Sequence, residues 1–224
     1  MHSSTTENYL KHLLLLQQQQ DDESPVSTGK LATSLEVTPG TATVMVKGLA
    51  ESGLVDYESR GGVRLTRSGQ KAALDVLRRH RLVELFLVRV LGLDWSEVHE
   101  EAEILEHAVS EKVLQKIDLM LGKPAFDPHG DPIPDARGRL ADRRLLSLPE
   151  CKEGQRVEVS RVDDQSPQFL RFAEGRGLTP GASLTIEAVD EVADAVTLRG
   201  KGGEPLVIGF AAAKKILVSP LSDG

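Results

Sequence analysis

The sequence predicts an α+β chain: an N-terminal winged helix-turn-helix, an all-α middle section and a C-terminal SH3-like β-barrel. Three observations carry this prediction. Between Val26 and Leu65 a short helix, a three-residue turn, a second helix and two β-like runs follow one another. From Thr66 to Leu121 the apolar residues recur at helical spacing. Beyond Pro149 the period changes to alternation, in five short runs separated by turn residues. The expected domains are residues 1–74 (winged helix-turn-helix), 75–148 (helical section with linker) and 149–224 (barrel).

Each element has a local reason. Thr6 is placed to cap a first helix whose stripe is Tyr9, Leu10, Leu13, Leu14 and Leu16. The polar run Gln17 to Ser24, closed by Pro25, reads as helix end and loop. Ser27 or Thr28 starts a short helix through Leu31, Ala32 and Leu35, and Glu36 to Thr38 forms the turn. The next helix opens at Pro39, where a missing N–H costs nothing, carries Val44, Val46 and Leu49, and stops at Gly53. Leu54 to Tyr57 and Val63 to Leu65 form the ribbon of the wing. Thr66 or Ser68 caps a long helix to Leu91, followed by helices over Ser96 to Ala108 and Ser110 to Leu121. Leu82, Leu85, Phe86, Val90 and Leu93 exceed what one helix face needs, and the surplus is assigned to a homodimer interface. Lys123 to Pro149 reads as a linker with a helical turn at Leu140 to Leu146. The barrel strands are expected near 156–159, 183–186, 196–198, 206–208 and 216–218, with a helix over Gln168 to Glu174.

Composition sets limits. A lone cysteine, Cys151, excludes a disulfide framework, and no run reaches the ~20 apolar residues a membrane span needs. The first twenty residues lack the pattern of a signal peptide, so a cytoplasmic location without membrane contact is expected. The net charge of −7 argues against broad electrostatic binding to nucleic acid. Val26 to Gln70 carries five cations against four anions, a net of +1, so DNA contact there depends on geometry and dimerisation.

The chemistry lies in the middle section. His99, Glu103, Glu106 and His107 recur at i, i+4, i+7 and i+8, on one face if Ser96 to Ala108 is a single helix, and His80 and Glu84 repeat the four-residue step upstream. Imidazole and carboxylate without cysteine form a shell for a divalent transition metal. At the start of the second helix of the helix-turn-helix, Thr38, Pro39, Gly40, Thr41, Thr43 and Lys47 offer hydroxyls, backbone N–H groups and a cation suited to phosphates and base edges. In the wing, Arg60 and Arg64 reach phosphate or the minor groove. His12 and His129 read as structural histidines, Trp95 as packing at a helix start, and Cys151 as a residue without catalytic partners.

Together these parts resemble the metal-dependent transcriptional regulators of the diphtheria toxin repressor type, and among them the manganese transport regulators. The resemblance runs through Thr5-Thr6-Glu7-Asn8-Tyr9-Leu10, Glu51-Ser52-Gly53-Leu54-Val55, Arg79-His80-Arg81-Leu82-Val83-Glu84, Val98-His99-Glu100-Glu101-Ala102-Glu103, Glu106-His107 and Pro128-His129-Gly130-Asp131-Pro132-Ile133-Pro134. It implies a FeoA-type barrel and two metal positions. One maps to Asn8, Glu103, Glu106 and His107; the other to His80, Glu84 and His99, with Asp164 and Gln168 of the barrel completing it. Iron-type members carry cysteine where this chain has Glu103, and manganese-type members carry Asp where it has Asn8. An amide oxygen is a neutral and weaker ligand.

Mn2+ is therefore the expected ion, with Fe2+ the alternative and Co2+, Ni2+ or Zn2+ able to substitute in vitro. The resemblance implies a dimeric repressor of metal-ion uptake genes whose affinity for double-stranded operator DNA is coupled to metal binding. A di-metal helical enzyme is the competing class, but no Ser, Lys or further carboxylate is evidently placed as a base. A third class is an interaction module, in which the barrel contacts the proline-bearing linker of its own chain; the low aromatic content, 4%, argues against a peptide groove.

Overall fold

The computed structural model describes residues 3–20, 24–201 and 203–221. Part of the Gln17 to Ser24 run, residues 21–23, lies outside them. Two compact units result: Met1–His80 with Glu106–Ser110 and Pro134–Leu140, and Arg81–Leu105 with Glu111–Ile133 and Ala141–Gly224.

In the first unit α1 (Ser4–Gln18) is capped by the Ser3 hydroxyl, which accepts from the Thr6 N–H at 3.2 Å, so Thr6 lies inside the helix rather than at its cap. Ser27 caps α2 (Thr28–Ser34) in the same way. The turn is made by Glu36 at φ 54°, and the Thr38 hydroxyl caps α3 (Pro39–Glu51) at 3.2 Å. Strands β1 (Val55–Glu58) and β2 (Gly62–Leu65) pair antiparallel as the wing. Thr66 caps α4 (Arg67–Arg89) through the Gly69 N–H. Leu10, Leu13, Leu31, Val46, Val63 and Leu77 form the core of this unit. Val44, expected with the helix's apolar side, is instead 73% exposed, because Ala42, Val46 and Leu49 fill the inward face.

The second unit begins inside α4 and continues with α5 (Val98–Leu105) and α6 (Glu111–Met120). The single helix expected to reach Ala108 ends at Leu105, so Glu106 and His107 occupy a turn in the first unit and share no helix face with His99 and Glu103. Leu82 and Leu85 are fully buried within the chain and are removed from the candidate dimer surface. The exposed apolar residues of this helical section are Val90, Leu91, Ile104, Val113, Leu119 and Met120.

The expected helical turn over Leu140 to Leu146 does not form; β3 (Leu146–Ser147) and a 3-10 turn at Leu148–Glu150 stand near its end. Strands β4 (Arg156–Val162), β5 (Ser183–Asp190), β6 (Ala195–Gly200), β7 (Pro205–Gly209) and β8 (Ile216–Pro220) follow, with α7 (Pro167–Glu174) and α8 (Phe210–Ala213) between them. The six strands form one antiparallel sheet in the order β3-β8-β4-β5-β6-β7. Alternation buries Val157, Val159, Ile186, Leu198 and Val218. β4 changes register between Val159 and Arg161, which turns the Ser160 carbonyl toward Gly130 in the preceding loop.

Candidate metal centre

Each unit holds a cluster of ionisable side chains. In the first, α1 presents Glu7, Asn8 and Lys11 on adjacent turns to Arg79 and His80 of α4 and to the Glu106–His107 turn. Glu106 is fully buried, and its carboxylate accepts from Lys11 Nζ at 2.8 and 2.9 Å and from His80 Nδ1 at 2.6 Å. Glu7 accepts from Arg79 at 2.9 Å and from His107 Nδ1 at 2.7 Å. Burial pushes the Glu7 pKa upward, but the bonds and charges of Arg79 and His107 outweigh it and hold the carboxyl below its ordinary value.

With Nδ1–H committed to Glu7, the His107 Nε2 faces Asn8 Oδ1 at 2.7 Å and Glu106 Oε1 at 3.4 Å. Nε2 can then accept from the Asn8 amide turned to present its NH2, or share a cation with Oδ1 in the orientation shown. Neighbouring ligands in an octahedron with ~2.1 Å bonds are about 3 Å apart. Asn8, Glu106 and His107 thus fit a small divalent ion by chemistry and spacing, with the Lys11 ammonium bonded to the same carboxylate.

In the second unit Glu84, Asp127 and His129 are all buried, with one ligand atom from each within 4.8 Å of the others. His129 Nε2 donates to the Trp95 carbonyl at 2.9 Å, and the imidazole stacks on the Trp95 ring with centroids 5.5 Å apart. This fixes the tautomer and leaves Nδ1, a buried lone-pair atom, without a hydrogen-bond partner. Asp127 accepts from the His129 and Asp131 N–H groups, each at 2.9 Å, which closes the loop that carries both residues.

Charge in this second cluster is unbalanced. Glu84, Asp127 and Asp131 face Arg81, 3.5 Å from Asp127 and 3.6 Å from Asp131, and Arg161, 3.8 Å from Asp131 but paired more closely with Asp163 at 2.6 Å. Burial, then the charges of Asp131 and Glu84, push the Asp127 pKa well above its ordinary value, and Arg81 only partly offsets them. An orphaned imidazole nitrogen beside two buried carboxylates is a donor set suited to a divalent cation.

The loop is seated by β4. The Val162 N–H donates to the His129 carbonyl at 2.9 Å, and Gly130, at φ +91°, packs so closely that a Cβ would stand 1.9 Å from the Ser160 oxygen. Arg81 donates to the Pro132 carbonyl at 2.6 Å on the other side.

The sequence-derived residues are distributed over both units. His80 lies in the first unit with Glu106, whereas Glu84, His99 and Glu103 lie in the second. There His99 Nδ1 is 3.2 Å from Glu84 and its Nε2 is 3.7 Å from Glu103. Asp164 accepts from Lys215 at 2.7 Å, and Gln168 is exposed on α7. Sequence reasoning did not single out Asp127 or Lys11, and it read His129, here buried beside Glu84 and Asp127, as structural. The Asp-x-His spacing in the loop, and a lysine set between Leu10 and Leu13 of an apolar stripe, were the available signals.

In α3, Thr38, Pro39, Gly40, Thr41 and Lys47 are exposed, and Thr43 is half-buried with its hydroxyl bonded to the Pro39 carbonyl at 2.7 Å. Arg60 is exposed at the wing tip and Arg64 half-buried on β2. Val44 belongs to this outward face and had been left out of it. Among the described residues no helix is long and apolar enough to cross a membrane.

The comparisons with known proteins divide the chain into three matched regions. Residues 1–63 match the model of the iron-dependent repressor N-terminal DNA-binding domain, and 66–135 its metal-binding and dimerisation domain. Residues 146–220 match the FeoA domain. The chain is 32% identical over 198 residues to the iron-dependent repressor IdeR of Mycobacterium leprae, covering 82% of this chain and 84% of that protein. It is 28% identical over 227 residues to the diphtheria toxin repressor of Corynebacterium efficiens, covering 89% and 96%. A solved manganese-dependent transcriptional repressor in complex with manganese superposes with a TM-score of 0.85 at 41% identity, covering 96% of this chain and all of that one. The DNA-binding, metal-binding and dimerisation, and FeoA matches follow one another along the chain, and the chain belongs to the iron-dependent repressor family, the metal-dependent transcriptional regulators that include the diphtheria toxin repressor.

Proposed function

We propose that this chain is a manganese(II)-dependent repressor of metal-ion uptake genes, binding operator DNA as a homodimer in the cytoplasm, with bound metal stabilising the operator-binding conformation. The family consists of DNA-binding repressors and not of enzymes, which sets aside the di-metal enzyme reading. The observation that carries the proposal is the buried Glu84, Asp127 and His129 set, with its excess negative charge and partnerless imidazole nitrogen. A bound ion supplies positive charge to carboxylates that otherwise repel each other.

Oxygen and imidazole donors without thiolate suit Mn2+. Cys151 offers no thiolate, because burial and then the Glu150 charge push its thiol up to about 11. Fe2+ is the second reading, favoured by the IdeR relative, whose name gives iron. The half-exposed His99 beside Glu84 and Glu103, and the Asn8, Glu106 and His107 group of the first unit, are the further ligand candidates.

Toward DNA, Thr38, Gly40, Thr41 and Lys47 line the exposed start and outer face of α3, while Arg60 and Arg64 extend from the wing. The exposed apolar side chains Val90, Leu91, Ile104, Leu119 and Met120 supply surface for a second copy. Two copies of α3 then enter half-sites about 34 Å apart or a multiple of that.

The test is a fluorescence-anisotropy titration of the full chain on promoters of the source organism's own metal transporters. Mn2+, Fe2+ under reducing conditions, and chelator are compared. Mn2+ is expected to tighten binding about 5–150-fold over chelator. Equal affinity with and without ions overturns the proposal, and a response to Fe2+ alone replaces manganese by iron.

A further inference from the structure

Lys11 is the most deeply buried cation among the described residues, 2% exposed on α1, and its ammonium is bonded to both oxygens of the fully buried Glu106 at 2.8 and 2.9 Å. A lysine in such a place normally swings its head toward water. Here it is kept inside by the carboxylate that, with Asn8 and His107, makes the donor group of the first unit.

The charges around it balance. Glu7 and Glu106 face Arg79 and Lys11, so with neutral imidazoles this cluster has no net charge to offer a dication. The Glu84, Asp127 and Asp131 carboxyls, by contrast, outnumber Arg81 and the Arg161 guanidinium that Asp131 shares with Asp163. An ion at about 2.0–2.6 Å from Glu106 Oε1 would press against an ammonium 2.8 Å from the same oxygen. The two cations would then stand only about 4 Å apart in a buried pocket, where like charges repel strongly, and only one of them is on a flexible four-carbon stem.

We infer that the Lys11 ammonium is a tethered counter-cation: it holds Glu106 in the metal-free protein and is displaced when a divalent ion takes that carboxylate. Lys11 thereby sets the ion concentration at which the first-unit position fills, above that of the Glu84, Asp127 and His129 position. The inference rests on the reading that the first-unit donors take a divalent ion.

Mn2+ binding by the full chain, without DNA, is measured by calorimetry and by the free-ion EPR signal for wild type, Lys11→Met and Lys11→Arg. The Met variant is expected to bind the weaker of the two ions at least tenfold more tightly, to melt lower without metal, and to gain more from Mn2+. The Arg variant restores the weak site. Unchanged or weaker binding in the Met variant overturns the inference. Should the Met variant fail to fold without metal, the wild type still decides it. The Lys11 15N ammonium resonance is followed as diamagnetic Zn2+ is added, and must shift or exchange away as the second equivalent binds. A resonance unmoved at full occupancy overturns the inference. An operator affinity indifferent to metal would defeat the proposed function while leaving this result standing.

Discussion

The substitution Gly130→Ala tests how the loop carrying Asp127 and His129, the proposed ion ligands, is held. The backbone at Gly130 has φ +91°, and a methyl group would stand 1.9 Å from the Ser160 oxygen. Moving that contact out to 3.0 Å, the floor for real Cβ atoms, requires a shift of 1.1 Å between the loop and β4. The Val162 N–H bond to the His129 carbonyl is 2.9 Å long, and such a shift takes it beyond useful length. Its loss costs about 1 kcal/mol. A side chain at positive φ costs roughly 1–2 kcal/mol more. A total of about 2–3 kcal/mol corresponds, at roughly 2–4 °C per kcal/mol for a chain of this size, to a fall in Tm of about 4–12 °C. His129 moves with the loop, whereas metal–ligand distances tolerate only about 0.2 Å, so Mn2+ affinity should drop at least tenfold. Scanning calorimetry and Mn2+ titration read the two effects together. A variant melting within about 2 °C of wild type with unchanged Mn2+ affinity would refute the account of how β4 seats the loop.

Three further outcomes are expected. His129→Ala should remove the Mn2+-induced stabilisation that the second-unit position gives by mass action, about 2.7 kcal/mol at a hundredfold excess over its Kd, as read by thermal melts with and without ion. Asp127 has a raised pKa, so its contribution to the metal-free fold is full below 3.8 and is lost as pH rises through the raised value. Asp127→Asn should therefore stabilise the metal-free protein by an amount that grows with pH over that window while Mn2+ binding falls. A stability difference independent of pH, measured by denaturant melts, contradicts the charge argument. Arg60→Ala should weaken binding to all DNA sequences alike and lower the slope of affinity against salt by about 1; a loss confined to one base pair would assign it base readout instead.

Much of the fold was legible because its signals are local. Pro39 at a first turn, Gly53 after a last one, and the switch from helical to alternating spacing near residue 150 each act within a few residues. The failures came where tertiary contacts decide. The helix expected to reach Ala108 stops at Leu105, and the buried bonds from Lys11 and His80 hold Glu106 in the turn that follows. Periodicity cannot register a partner some 95 positions away in the chain. Asp127 was passed over, and His129 read only as structural, for a similar reason: their loop has linker composition. Only the Trp95 carbonyl and the turn of β4 make a buried, oriented pair of it.

The state of Cys151 bears on how such a regulator behaves under oxidative stress. The side chain is 6% exposed and donates to the Ser147 carbonyl at 3.5 Å, with its thiol raised to about 11. Near neutrality only about one molecule in ten thousand carries the nucleophilic sulfur anion that peroxide attacks. Burial and a protonated sulfur thus keep Cys151 from serving as a peroxide-reactive thiol, in contrast to switches built on an exposed thiolate.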